Sequence, residues 1–110
     1  MTEKSIKYLY DVLMAIDLIE EFTLNIGFET YNCDRKTQSA VERQLAIVGE
    51  ALNQFKKSHN NLTIENDQQI ISFRNRLVHA YDSIDNAIVW AIVRKHLQPL
   101  KEEILRLLEQ

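Results

Sequence analysis

Apolar positions recur at steps of three and four along most of the chain, the spacing of helices that bury one face. Ile6, Leu9, Leu13, Ile16 and Ile19 mark a first helix over residues Ser5 to Ile26, with Gly27 placed to cap its end. A loop over Phe28 to Cys33 follows, and Asp34 can accept the free N–H groups of a second helix. That helix runs to about Lys57, and its stripe of Val41, Leu45, Val48, Leu52 and Phe55 is the most regular in the chain. Polar residues from Ser58 to Asn66 read as a loop. Asn66 or Asp67 can cap a third helix with Ile70, Ile71, Phe73, Leu77 and Val78 inward, ending between His79 and Tyr81. Asp82 or Asp85 can cap a fourth that buries Ile88, Val89, Ile92 and Val93. Pro99 lacks the donor a continuing helix needs, so a break falls near Leu97 and a last helical piece runs from Pro99 to Leu108. No segment alternates as a strand does. The expected fold is all-α, an antiparallel up-and-down bundle of four to five helices with short loops.

Gly49 interrupts the best of these helices. A glycine there costs about 1 kcal/mol relative to alanine. Close approach of another backbone explains it, although drift in an exposed turn would also permit it.

The length of 110 residues predicts one domain over residues 1–110. A single cysteine, Cys33, excludes an internal disulfide and a cysteine-rich zinc site. No apolar run reaches membrane-span length and the N-terminus carries no signal-peptide core, so a soluble cytoplasmic protein without membrane attachment is expected. The net charge of −3 argues against a broadly basic nucleic-acid binder. Its distribution is uneven. Between Lys7 and Arg35 stand six acids and no base, whereas between Asp67 and Asp82 stand Arg74, Arg76 and His79 and no acid. Any anion site is therefore local and lies in the second half.

The segment Phe73-Arg74-Asn75-Arg76-Leu77-Val78-His79-Ala80-Tyr81 gathers the polar chemistry. On a helix Asn75 and His79 share a face and Arg76 flanks the histidine. Arg74 lies about 140° around, with a side chain long enough to reach back. Imidazole exchanges protons near neutral pH and guanidinium grips phosphate, a pairing suited to phosphodiester chemistry. One chain offers one suitable histidine; two copies about a two-fold axis offer two. An ordinary surface helix end can carry the same residues. Glu50 is a candidate partner for a motif arginine, or else an exposed carboxylate. His59 and His96 read as surface residues, and Trp90 and Phe73 as core or interface. No glycine-rich phosphate loop is present, no carboxylates have metal-site spacing, and no cofactor or metal is expected.

Arg74, His79 and Tyr81 form the pattern R-x4-H-x-Y, which resembles the signature of HepT toxins in the HEPN superfamily of small helical proteins. Ile84-Asp85 and Val89-Trp90 after the motif fit the same pattern. So does the block from Gln38 to Ala51, whose end resembles Ile-Gly-Glu-Ala with Val48 in the first place. Gln98-Pro99-Leu100 resembles the family's Leu-Pro-x-Leu. The likeness implies a toxin of a two-gene toxin–antitoxin pair, acting as a homodimeric endoribonuclease on RNA. It implies Arg74 and His79 as the catalytic pair across the dimer cleft, with Asn75, Arg76 and Glu50 in support. It further implies an MntA-type nucleotidyltransferase as antitoxin partner, adding AMP to Tyr81. The alternative is a non-catalytic helical module that pairs with and regulates such a transferase, which the acidic first helix favours and the intact Arg74–His79–Tyr81 set disfavours. A plain structural dimer is a third reading.

Overall fold

The computed structural model describes residues 1–58, 62–79 and 84–110. Six helices follow in order: α1 (Glu3–Phe22), α2 (Phe28–Asn32), α3 (Arg35–Ser58), α4 (Gln68–His79), α5 (Asn86–Lys95) and α6 (Leu97–Leu108), and no strand occurs among the described residues. The expected helical bundle is present, with one helix more than the apolar spacing announced.

The core is the antiparallel pair α1 and α3. Leu9, Val12, Ile16 and Ile19 of α1 meet the predicted α3 stripe of Val41, Leu45, Val48, Leu52 and Phe55, all at most 1% exposed. Helix α1 starts where Thr2 Oγ1 accepts the Ser5 N–H, and the Ser5 and Ser58 hydroxyls, 3.0 Å apart, tie its start to the end of α3. Helix α6 closes the far side of α1 with buried Leu97, Leu100 and Ile104, and Lys101 spans to Asp17 and Glu20 at 3.3 and 3.0 Å. Helix α4 packs along α3, and α5 rests on α6 and α2.

The end of α1 departs from expectation for a local reason. Asn25 adopts a left-handed backbone with φ 61°, a conformation asparagine tolerates better than most residues, and the helix stops at Phe22, not Ile26. Gly27 is then extended and opens α2 instead of capping α1. The expected loop Phe28–Cys33 is accordingly a five-residue helix, too short to declare itself by periodicity. It is held from outside: Tyr31 is fully buried, its ring 5.0 Å from Trp90, and the Gln38 side-chain amide donates to the Tyr31 carbonyl. Arg94 lies over the Trp90 ring and donates to the Ile26 carbonyl at 2.7 Å, which fastens α5 to the α1–α2 turn. Asp34 caps α3 through the Thr37 N–H, and Asp85 caps α5 through the Ala87 N–H, as expected. The break near Leu97 falls at His96, between α5 and α6.

Two residues assigned to the core are exposed: Val78 at 45% and Ile88 at 37%. Each lies at the edge of its stripe and faces an open cleft described below. Ile70 and Phe73 of α4 and Val89 and Ile92 of α5 are buried as expected.

The approach to α4 is fixed by Glu103, whose carboxylate accepts from the Glu65 and Asn66 backbone N–H groups and from the Asn66 side chain. Asp67 is buried directly before α4, and desolvation pushes its carboxyl above the usual value of 3.8. The folded state therefore favours its protonated form, and its charge at neutral pH opposes folding. Asp67→Asn should be more stable than the parent at neutral pH. That advantage should shrink as pH falls through the raised folded-state pKa and vanish below 3.8, checked by urea unfolding across pH.

Candidate active site

The site is built on α4 and takes its position from a glycine on α3. A Cβ placed on Gly49 would lie 2.6 Å from Arg74 Cβ and 3.2 Å from the Ile70 carbonyl oxygen. Glycine at 49 therefore lets α4 sit directly on α3, the close approach expected from the sequence, and Arg74 crosses the α3 backbone at that point. The next α3 residue, Glu50, meets it: Glu50 Oε2 stands 2.5 Å from Arg74 Nη2. The ion pair anticipated for Glu50 is thus made within one chain. Gln54 donates to Glu50 Oε1 at 2.9 Å, and Asn75 Oδ1 accepts from Arg74 Nη1 at 3.3 Å. The guanidinium is held from two sides while its own side chain stays 29% exposed.

This arrangement borders an open cleft of about 330 Å³ lined by Arg43, Ile47, Glu50, Arg74 and Val78 with Tyr8 and Asp11 of α1. His79, in the last residue of α4, is exposed on the outer ridge of that helix together with Asn75, four residues earlier. Arg74 does not reach back towards it; the guanidinium turns to α3 instead. The proposed pair therefore diverges on one helix, with Asn75 between. Arg76 projects from the other side of α4 and lies over the Phe73 ring at 5.8 Å from its centroid. Of the residues expected to act, the structure brings Arg74, Glu50 and Asn75 into contact and leaves His79 and Arg76 facing solvent. Tyr81, the expected AMP acceptor, lies outside the described residues, as does His59.

One residue joins this description that the sequence did not single out. Gln54 steadies Glu50, and its position one turn after Glu50 was the available signal. His96, read as surface, is half-buried and lines a second cleft beyond Arg76.

Residues 12–107 match the sequence profile of a family described as ribonuclease HepT-like. The chain is 40% identical over 104 residues to a probable ribonuclease HepT of Thermococcus cleftensis, covering 91% of this chain and 92% of that protein. It is 30% identical over 109 residues to a putative RNase of Methanocaldococcus jannaschii, covering 94% and 97% respectively. A second Methanocaldococcus jannaschii protein, described as gamma-glutamylcyclotransferase and putative RNase, is 31% identical over 94% of this chain and 47% of its own length. No solved structure matches the chain.

The Gly49 contact predicts a mutant whose sign runs against helix propensity. Alanine in place of a mid-helix glycine gains about 1 kcal/mol in an exposed helix. Here the added methyl group meets Arg74 Cβ and the Ile70 carbonyl, and overpacking of this kind costs about 1–3 kcal/mol. Gly49→Ala should therefore be destabilised in urea unfolding. Glu50→Gln should change stability by less than about 1 kcal/mol, since the pair is partly exposed.

Proposed function

The chain belongs to the HepT-like ribonuclease family, and from that premise we propose that it is the toxin of a toxin–antitoxin pair, a homodimeric endoribonuclease whose site is completed by a second copy. The observation that carries this reading is the divergence on α4: Arg74 is locked to Glu50 on one side and His79 stands exposed on the outer ridge. A lone chain supplies one imidazole. A dimer about a two-fold axis supplies two, one to take the proton of a ribose 2′-hydroxyl and one to return a proton to the leaving 5′-oxygen. The 2′-oxygen then bonds to phosphorus as the bond to the 5′-oxygen breaks, and the product carries a 2′,3′-cyclic phosphate. Arg74, oriented by Glu50 and Asn75, offsets the charge that builds on the phosphoryl oxygens. Arg76 supports the strand next to the site. This chemistry draws on imidazole and guanidinium groups, and cleavage proceeds without a metal ion.

Exposed apolar side chains support a second copy on this face. Val78 is 45% exposed at the rim of the Arg74 cleft, and Met14, 66% exposed, lies three residues from Asp11 on α1. Apolar surface of this kind is what a homodimer covers.

An MntA-type nucleotidyltransferase is the partner that restrains the toxin. The Tyr81 phenolic oxygen attacks the α-phosphorus of ATP, pyrophosphate leaves, and the tyrosine carries AMP. Two residues from His79 in sequence, the added negative charge and bulk oppose docking of an RNA phosphate. The low pI of about 5.6 and the acidic α1 leave one other reading, a non-catalytic module that regulates such a transferase.

Purified chain incubated with RNA in excess chelator should release fragments ending in 2′,3′-cyclic phosphate. His79→Ala should cut the rate by about 10²–10⁴-fold, the usual worth of a positioned acid–base group. Equal rates for the two proteins would overturn the catalytic reading in favour of the module. Co-expression with a neighbouring transferase should add AMP to the wild type and not to Tyr81→Phe, read by intact mass.

A further inference from the structure

Helices α4 and α5 stand apart on the side of α4 away from Glu50 and enclose a cleft of about 540 Å³, larger than the Arg74 cleft. A pocket of that size suits a ligand of nucleotide dimensions. Its floor is apolar, made by Phe73, Ile88 and Ile92 with Ala87 and Ala91. Its rim carries the Gln68 and Gln69 amides, the Ser72 hydroxyl, the Arg76 guanidinium and the His96 ring. No acid lines it. The two helices that wall it, Gln68–His79 and Asn86–Lys95, contain Arg74, Arg76, Arg94 and Lys95 and not one Asp or Glu, in a chain whose net charge is −3. Glu65 lies in the recess adjoining Gln68, Gln69 and His96, and the Asp85 carboxylate caps α5 at the Ala87 N–H. Ser72, Arg76 and His79 are spaced i, i+4 and i+7, so the rim of this cleft and the imidazole share one face of α4. Arg76 precedes His79 by one turn, about 5 Å along the axis.

We propose that the α4–α5 cleft is a nucleotide subsite that seats one unpaired base of the RNA strand next to the linkage held at His79. The acid-free helices that wall it complement a phosphate backbone, the apolar lining accepts a base face, and the two amides and the hydroxyl read its edge. Arg76 holds the phosphate between subsite and imidazole. Gln68, Gln69 and Ser72 thereby set which base is preferred beside the cut. The assignment rests on the ribonuclease reading for its biological sense, yet its test is a binding measurement that stands apart from cleavage.

His79→Ala protein carrying labelled Ala, Ile and Val methyl groups would be titrated with short homopolymeric oligoribonucleotides, one for each base. The methyl signals of Ala87, Ala91, Ile88 and Ile92 should shift to saturation with at least one of them. Ala91→Trp, which fills the cleft, should weaken that oligonucleotide by about tenfold or more, the order of one lost base contact. Gln69→Ala, an exposed change that leaves the floor intact, should flatten the preference among bases, and a retained melting temperature shows that either variant has folded. Shifts confined to Ile47 and Val78, or unchanged affinity in folded Ala91→Trp, would overturn the subsite. So would cleft methyls that stay still with RNA and respond to a partner protein. Response of the cleft in a wild-type chain that never cleaves RNA would sink the ribonuclease reading and leave the subsite standing. Cleavage with silent cleft methyls would do the reverse.

Discussion

Gly49 lacks a side chain, and the seating of α4 on α3 depends on that absence. With a Cβ at 49 the helices would have to part or Arg74 would have to turn aside. Everything distinctive about the motif follows from this contact. It places the Arg74 stem against the α3 backbone, brings the guanidinium to Glu50 one residue along, and leaves the opposite face of α4 free for Ser72, Arg76 and His79. The ion pair itself is a minor source of stability, because a partly exposed pair contributes about 0–1 kcal/mol. Packing decides where the helix lies, and the ion pair decides where the guanidinium points once it lies there.

Much of the frame was legible because burial here obeys helical spacing. The α3 stripe, the close approach at Gly49, the caps at Asp34 and Asp85 and the break beside Leu97 all stand where pattern and turn chemistry put them. The misses share a cause: each depends on contacts distant in sequence. Helix α2 exists because Trp90 and Gln38 hold Tyr31 in place, and a five-residue segment has no period of its own. Asn25 carries the left-handed turn that Gly27 was expected to serve, and asparagine and glycine compete for that position in any sequence. Val78 and Ile88 continue apolar stripes but overlook clefts, because spacing reports a face and not what covers it.

The sequence offered the candidate residues as types and not as an arrangement. Residue types alone put Arg74, Asn75 and His79 within reach of one another, and a flexible arginine was expected to reach back to the histidine. Glu50 wins the guanidinium instead, since a carboxylate attracts it and an imidazole at neutral pH offers little. The Glu50 carboxylate stands on α3, 24 residues before Arg74, and no local rule connects them. Only the glycine beside it hinted that another element passes there.

The two clefts give α4 two unlike sides. On one, Glu50 orients the Arg74 guanidinium in a cleft that Asp11 also lines, beside exposed apolar surface suited to a second copy of the chain. On the other, Arg76 and His96 face a cleft that no acid lines among the described residues, suited to an anion. His79 stands on the ridge where these sides meet. In the proposed reading a polyanionic strand would be repelled by the α1 carboxylates and drawn to the α4–α5 side, so field and shape would agree on the direction of approach. A chain of net charge −3 can thus engage RNA through a narrow strip, with most of its surface left unattractive to nucleic acid. Such a strip binds weakly in isolation. In the proposed dimer the strip would be doubled about a two-fold axis with the imidazoles at the seam, which would raise both the charge and the number of contacts on one strand and would make catalysis and dimerisation one requirement.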